Sequence, residues 1–209
     1  MFKKVILAAL VVTSAVFAQF NVNVGGRAAS NFGTYVGDDA KELDMGWGVG
    51  FNAGVAAKLD VLPILSVVGG LEADLRRASQ KETEESYGGD LTRETSLNMW
   101  YLDIPVVARF NVVPMFHVDA GVVLAFKLAS SATVEVSQGG QSVSSSADFD
   151  FVKAFDAAVT AGIGASVIPG MLDVDFRFVY SLTNWPDYEG VDVGIKHMRM
   201  QVGATYWFM

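Results

Sequence analysis

The chain has 209 residues, no cysteine and a formal charge of −8. The missing cysteines exclude a disulfide framework and thiolate chemistry, and the acidic balance argues against a nucleic-acid partner. Hydrophobic residues make up 51% and the mean hydropathy is +0.33, yet beyond the N-terminal segment no apolar run reaches the roughly 18 residues of a membrane helix.

The first 18 residues read as a secretion signal. Lys3 and Lys4 form the basic region, Val5 to Val12 the apolar core, and Val16-Phe17-Ala18 the cleavage site. The apolar stretch is too short for a comfortable anchor, since about 20 residues are needed, and no cysteine follows it for lipid attachment. Cleavage after Ala18 leaves residues 19–209 as one domain with a charge of −10.

Eight strands are predicted near 20–30, 46–60, 64–77, 96–111, 116–130, 150–168, 171–183 and 195–209. The signal is period-two alternation. It is plainest in the last strand, where Met198, Met200, Val202, Ala204, Tyr206 and Phe208 form one face. His197, Arg199, Gln201, Gly203 and Thr205 form the other, closed by Trp207 and Met209. Three connections are tight and hold a proline: Val61-Leu62-Pro63, Val112-Val113-Pro114-Met115 and Ile168-Pro169-Gly170. The others, at 31–45, 78–95, 131–149 and 184–194, are long and polar. Short turns on one rim and long loops on the other predict an all-β, eight-stranded, antiparallel up-and-down transmembrane barrel, with the short turns periplasmic.

The faces follow by parity. Strand seven puts Leu172, Val174, Phe176, Phe178, Tyr180 and Leu182 toward lipid, and Asp173, Asp175, Arg177, Ser181 and Thr183 toward the lumen. Strand five puts His117, Asp119 and Lys127 inward, strand four Asp103, Pro105 and Arg109, and strand three Glu72, Asp74 and Arg76. Leu65, Val67, Leu71 and Leu75 of strand three face out. With Arg27, Lys58, Asp156 and Arg199, the inferred lumen is charged but nearly balanced. An eight-stranded barrel is only wide enough for side chains to fill it, and unpaired buried charge is costly. A salt-bridged plug is therefore favoured over an ion path.

Aromatics predict two interfacial girdles. Trp47, Trp100, Phe126, Phe155 and Tyr180 lie toward the long-loop ends; Phe20, Phe110, Phe116, Tyr206 and Phe208 lie toward the short-turn ends. A soluble barrel with an apolar interior has the same alternation, which cannot by itself tell inside from outside. The aromatic placement and the terminal strand favour the membrane form.

Catalytic and metal chemistry find little support. His117 and His197 fall at opposite rims and cannot share a metal. Ser181 near Asp173 and Asp175 has no base to form a triad, so no enzyme and no cofactor are expected. Gly46-Trp47-Gly48-Val49-Gly50 lies on an alternating strand with no helix after it, so it is not a phosphate loop. The loops are acidic: Asp38, Asp39, Glu42 and Asp44; Glu82, Glu84, Glu85, Asp90 and Glu94; Asp187, Glu189 and Asp192. They read as a solvated surface, with divalent cations or an extracellular or envelope protein as the partners to consider. Ser137 to Ser146, with Gly139-Gly140, is low in complexity and expected to be mobile.

Tyr101-Leu102-Asp103-Ile104-Pro105-Val106, followed by Arg109-Phe110 and the proline turn, resembles the "YLEIP" segment of PorT-like outer-membrane β-barrel proteins. Gly162-Ile163-Gly164, then Leu172 to Arg177 and Tyr180-Ser181-Leu182-Thr183-Asn184, are similar to that family's late strands. The resemblance implies a small eight-stranded, porin-like barrel in the outer membrane of a Gram-negative cell envelope, in contact with lipid and with the barrel-assembly machinery. It implies little about activity: many members have no assigned role and some are linked to secretion. The chain departs from the pattern in ending on Met209 rather than an aromatic, with Phe208 still in the outward register. A structural or surface-interaction role is expected, with a narrow solute channel or a secretion-associated accessory protein as alternatives.

Overall fold

The computed structural model describes residues 22–41, 46–84, 91–138, 141–149, 152–184 and 194–208. The secretion signal, Phe20, Met209, Glu42, Asp44, Glu85, Asp90, Gly139-Gly140, Asp187, Glu189 and Asp192 lie outside the described residues.

Among the described residues nine strands run β1 (Val22–Val36), β2 (Gly48–Leu62), β3 (Leu65–Glu84), β4 (Leu91–Val113), β5 (Phe116–Gln138), β6 (Gln141–Asp148), β7 (Phe155–Ile168), β8 (Leu172–Ser181) and β9 (Lys196–Phe208). The sheet order is β4-β3-β2-β1-β9-β8-β7-β5-β6, and β4 also pairs with β5. That extra pairing closes an eight-stranded antiparallel barrel from which β6 is excluded. The seam joins β1 to β9, from Val24↔Phe208 to Val36↔Lys196.

Period-two alternation places the side chains as the membrane reading requires. Along β8, Asp173, Asp175, Arg177, Val179 and Ser181 are buried, while Val174, Phe176 and Phe178 are exposed. Leu75 is 3% exposed although its register is outward. It pairs between Phe51 and Trp100, whose rings meet edge-to-face with centroids 5.6 Å apart and cover it.

Pro105 marks the one break in the β3–β4 ladder below the rim. Pairing runs to Gly69↔Val106 and resumes at Glu72↔Asp103. Proline has no N–H to give and its ring needs room. Gly70 stands opposite: a Cβ there would lie 3.3 Å from Pro105 Cγ. Among the short turns, Gly170 adopts φ +76°, which an L side chain rarely tolerates.

Three expected loops prove different. β1 continues to Val36, so residues 31–36 are strand. Residues 78–84 and 91–95 extend β3 and β4 as a paired hairpin, Ala78↔Leu97 to Glu84↔Leu91. Ser137 to Ser146, expected to be mobile, falls in the β5–β6 hairpin, with Ser131↔Asp148 to Gln138↔Gln141 in register. Serine is a weak strand former, but each strand here has a paired neighbour on at least one side, and that pairing decides the conformation. The result is a four-stranded sheet, β3–β4–β5–β6, standing above one side of the barrel.

Candidate functional site

Two features are built from the strands: the filled lumen, and the sheet that rises from it.

In the lumen, five guanidiniums and seven carboxylates are ion-paired among the described residues. Nearest the short turns, Arg109 grips Asp119 through two bonds of 2.9 Å and donates to Asp173 at 2.7 Å. Trp207, 1% exposed, turns into the lumen and donates its Nε1 to Asp173 at 2.8 Å. Lys58 Nζ sits 5.2 Å from its ring centroid. This indole lies among Ala56, Val68 and Val107, above a bowl of ≈ 520 Å³ lined by Lys58, Asp60, Asn111, Ser166 and the turn prolines.

At mid-height Arg27 is bidentate on Asp175 and lies 3.3 Å from Glu72 Oε1. Arg177 links the layers, 3.3 Å from Asp175 and 3.4 Å from Asp119. Toward the long hairpins, Arg76 reaches Asp74 at 2.9 Å, Asp103 at 3.0 Å and Asp156 at 2.7 Å. Its Cζ lies 4.0 Å from the Tyr101 ring centroid. Arg199 holds the other oxygen of Asp103 and lies 3.5 Å from Asp74. Lys127 is half-buried and donates to the carbonyl of Val152 at 2.8 Å.

Several large lumen groups face a glycine on a neighbouring strand. A Cβ would lie 2.8 Å from His197 Nε2 at Gly33, 2.2 Å from His117 Nε2 at Gly164 and 2.7 Å from Arg27 Nη2 at Gly203. In an eight-stranded ring the interior has room only for matched large and small residues. Among the described residues, spaces of ≈ 10 Å³ lie beside Asp103, Arg177, Arg199 and Gln201 and beside Asp156, Ser181 and His197. Each has the volume of about one water probe.

Above Arg76 the interior becomes apolar. Tyr35, Ala40, Ala78, Leu97, Met99, Tyr101, Ala125, Val152 and Ile195 form one buried cluster, with Ala132 and Phe149 packed against it. This cap lies over the charged layers. Tyr35, Ala40 and Ala78, with the packed Ala132 and Phe149, come from segments expected to be loop, so sequence reasoning missed the cluster as a whole. A signal existed: the inward parity of β4 passes from Asp103 to Tyr101, Met99 and Leu97.

His117 and His197 open β5 and β9, at opposite ends of the barrel. Ser181 donates to Asp156 at 2.8 Å, as does Thr183. His197 packs against Tyr35, centroids 5.2 Å apart, and neither ring nitrogen finds a hydrogen-bond partner among the described residues. A hydrolytic triad needs the serine on the imidazole and the imidazole on the carboxylate. Here the serine is on the carboxylate and the imidazole on neither. Among the described residues no group of three or more His, Cys, Asp or Glu side chains could hold a metal ion.

Outside, Trp47, Phe110, Phe116, Phe126, Tyr206 and Phe208 are exposed, and Trp100 and Tyr180 are half-buried. Phe32 and Phe51 are exposed as well. On β4 the outward apolar positions run from Trp100 to Phe110. At about 3.4 Å per residue and about 40° of tilt they span about 26 Å, the height of a membrane barrel's apolar band. Above Trp100 the same outward face carries Asn98, Ser96, Glu94 and Thr92. The sheet continues this polar face in rows across the strands: Ser79–Ser96–Thr133–Ser146 and Thr83–Thr92–Ser137–Ser142.

No curated protein sequence matches the chain. Among solved structures it is similar to Ail, the attachment invasion locus protein of Yersinia pestis, in complex with the heparin analogue sucrose octasulfate. Identity is 16%, covering 90% of this chain and 99% of that one, with a TM-score of 0.44. Neisserial surface protein A is 15% identical over 90% of this chain and 99% of that one, TM-score 0.46. The outer membrane protease OmpT from Escherichia coli is 9% identical over 90% and 96%, TM-score 0.33. The sequence itself matches the outer membrane protein beta-barrel domain over residues 17–185. With that match over most of its length, the chain belongs to the outer membrane protein beta-barrel domain family, and it is a small β-barrel of the Gram-negative outer membrane.

Proposed function

We propose that this protein is a closed, non-conducting and non-enzymatic barrel that anchors a β-sheet at the cell surface. The observation that carries the reading is the continuous filling of the lumen. Trp207 lies across one end, three ion-paired layers fill the middle, and the Leu97–Met99–Tyr101 cluster lies over the other end. The residues assigned to this network are Arg27, Glu72, Asp74, Arg76, Asp103, Arg109, Asp119, Lys127, Asp156, Asp173, Asp175, Arg177 and Arg199, and their role is structural. Removing a shared partner such as Arg76, which holds Asp74, Asp103 and Asp156, would leave uncompensated buried charge.

The orientation follows from the short turns, which in outer-membrane barrels face the periplasm. The four-stranded sheet is then extracellular, with the polar face of Ser79, Ser96, Thr133 and Ser146 turned to water. The partner is engaged from outside, through this sheet and the acidic connections around it.

Single-channel recording of the refolded protein in a planar bilayer tests the reading. A stably inserted protein that stays electrically silent is the expected result. Discrete, reproducible steps altered by Asp103→Asn or Arg109→Gln would replace it with a narrow solute channel. The segment Tyr101 to Val106 supports a PorT-like relationship, in which a secretion-associated role would show as co-purification with other envelope components.

A further inference from the structure

The surface sheet ends on an unprotected strand. β6 lies at the end of the strand order, and among the described residues it pairs only with β5. All eight of its residues, Gln141 to Asp148, are exposed. Natural proteins blunt such edges with lysine, proline, bulges or a covering element. This one has no lysine, arginine or proline, its pairing with β5 is unbroken, and its only charge is Asp148 at the lower end.

The backbone direction can be read from the register. Gln138↔Gln141 closes the hairpin across two residues, and the closing pair of such a hairpin exchanges its hydrogen bonds. Counting in twos, Val143 and Ser145 bond to β5, while the N–H and C=O groups of Ser142, Ser144 and Ser146 point away from it. An outward row of backbone donors and acceptors is recognised by one class of ligand, an extended polypeptide strand.

Side chains on the two faces define that strand further. On the barrel-axis side, Val143 is opposite Val136, and both are exposed, at 74% and 37%. On the other side, Glu94 is paired with Glu135, and Glu135 with Ser144. Both glutamates are exposed. Glu94 is also paired with Lys81 on β3, whereas Glu135 has Glu94 and Ser144 across its ladders, and like charges placed directly across a ladder repel. We propose that β6 is a strand-addition site for an extended, cationic polypeptide, with small apolar side chains meeting Val143 and lysine or arginine reaching across Ser144 to Glu135. This rests on the surface-display reading above and names the partner's chemistry.

The test uses the full-length protein in phosphatidylcholine vesicles and a fluorescein-labelled octapeptide alternating lysine and valine, followed by anisotropy. Saturable binding is expected, at least tenfold weaker for an octapeptide alternating glutamate and valine. It is expected to be lost for the lysine–valine octapeptide N-methylated at its lysine amides, which keeps the charges and lacks the donors that face β6. In the protein, Ser144→Pro removes an outward N–H and no bond to β5, so it should weaken binding at least tenfold while the barrel still folds. Glu135→Lys should do the same without touching the backbone. Equal binding of the N-methylated peptide, or binding unchanged by Ser144→Pro, would overturn the proposal in favour of simple charge attraction. Conductance steps with peptide binding intact would instead overturn the closed-anchor reading and leave this site standing.

Discussion

The same three strands obey opposite rules above and below one line of residues. Below Leu75–Trp100–Ala129, the outward faces of β3, β4 and β5 are apolar and the inward faces carry the arginines and carboxylates. Above it, Arg77, Asn98, Ser96 and Thr133 face outward while Ala78, Leu97, Ala132 and Val134 face inward. The strands do not stop at the line, and β4 keeps its parity through it. What changes is the solvent. Lipid rewards an apolar exterior and leaves the charges to pair inside; water rewards hydroxyls outside and an apolar interior. On β5 a register shift at Trp100/Tyr101 accompanies the crossing, so that Lys127 and Ser130 both serve the inner side.

The largest test of this contrast is inside the membrane portion. Arg76→Leu strands Asp74, Asp103 and Asp156 without their shared guanidinium. It should cost about 3–5 kcal/mol in denaturant unfolding from vesicles, and Asp103→Asn on that background should recover part of it. Next comes the outer face at mid-membrane: Val106→Arg should cost about 2–4 kcal/mol. Met99→Ala, which opens the apolar cap at a fully buried position, should cost about 2–3 kcal/mol. Smallest is Ser96→Arg, on the same strand and the same face as Val106, expected within about 0.5 kcal/mol. A cost for Ser96→Arg equal to that of Val106→Arg would break the comparison, because the line at Trp100 would then not be the membrane edge.

The barrel itself was legible in the sequence because its signal is local. Alternation such as Leu172 to Ser181 needs no partner to be read, and the proline turns fixed which strands are hairpin neighbours. The surface sheet was not legible, for a physical reason. Ser131 to Gln138 and Gln141 to Asp148 have loop-like composition, and only pairing with β4 and with each other makes them strands. Tyr35 and Phe32 were hidden the same way, in a stretch expected to be loop that proved to be strand. Within the lumen, the charged positions could be listed by parity but their pairing could not. That Arg76 gathers three carboxylates from β3, β4 and β7 depends on barrel closure. Likewise, nothing local tells that Gly33 and Gly164 are the seats of His197 and His117.

Trp207 records when the ring shuts. Its surroundings come from four different places: Asp173 on β8, Lys58 and Ala56 on β2, Val68 on β3 and Val107 on β4. The indole therefore has a finished environment only after the first and last strands have met, the longest-range event in the chain. Trp47 and Trp100 instead look outward toward lipid. During refolding into vesicles of brominated lipid, with Trp185→Phe in the background, those two should dim as the protein inserts. The indole of Trp207 should stay bright and settle last, so the delay between the two signals is the time from insertion to closure.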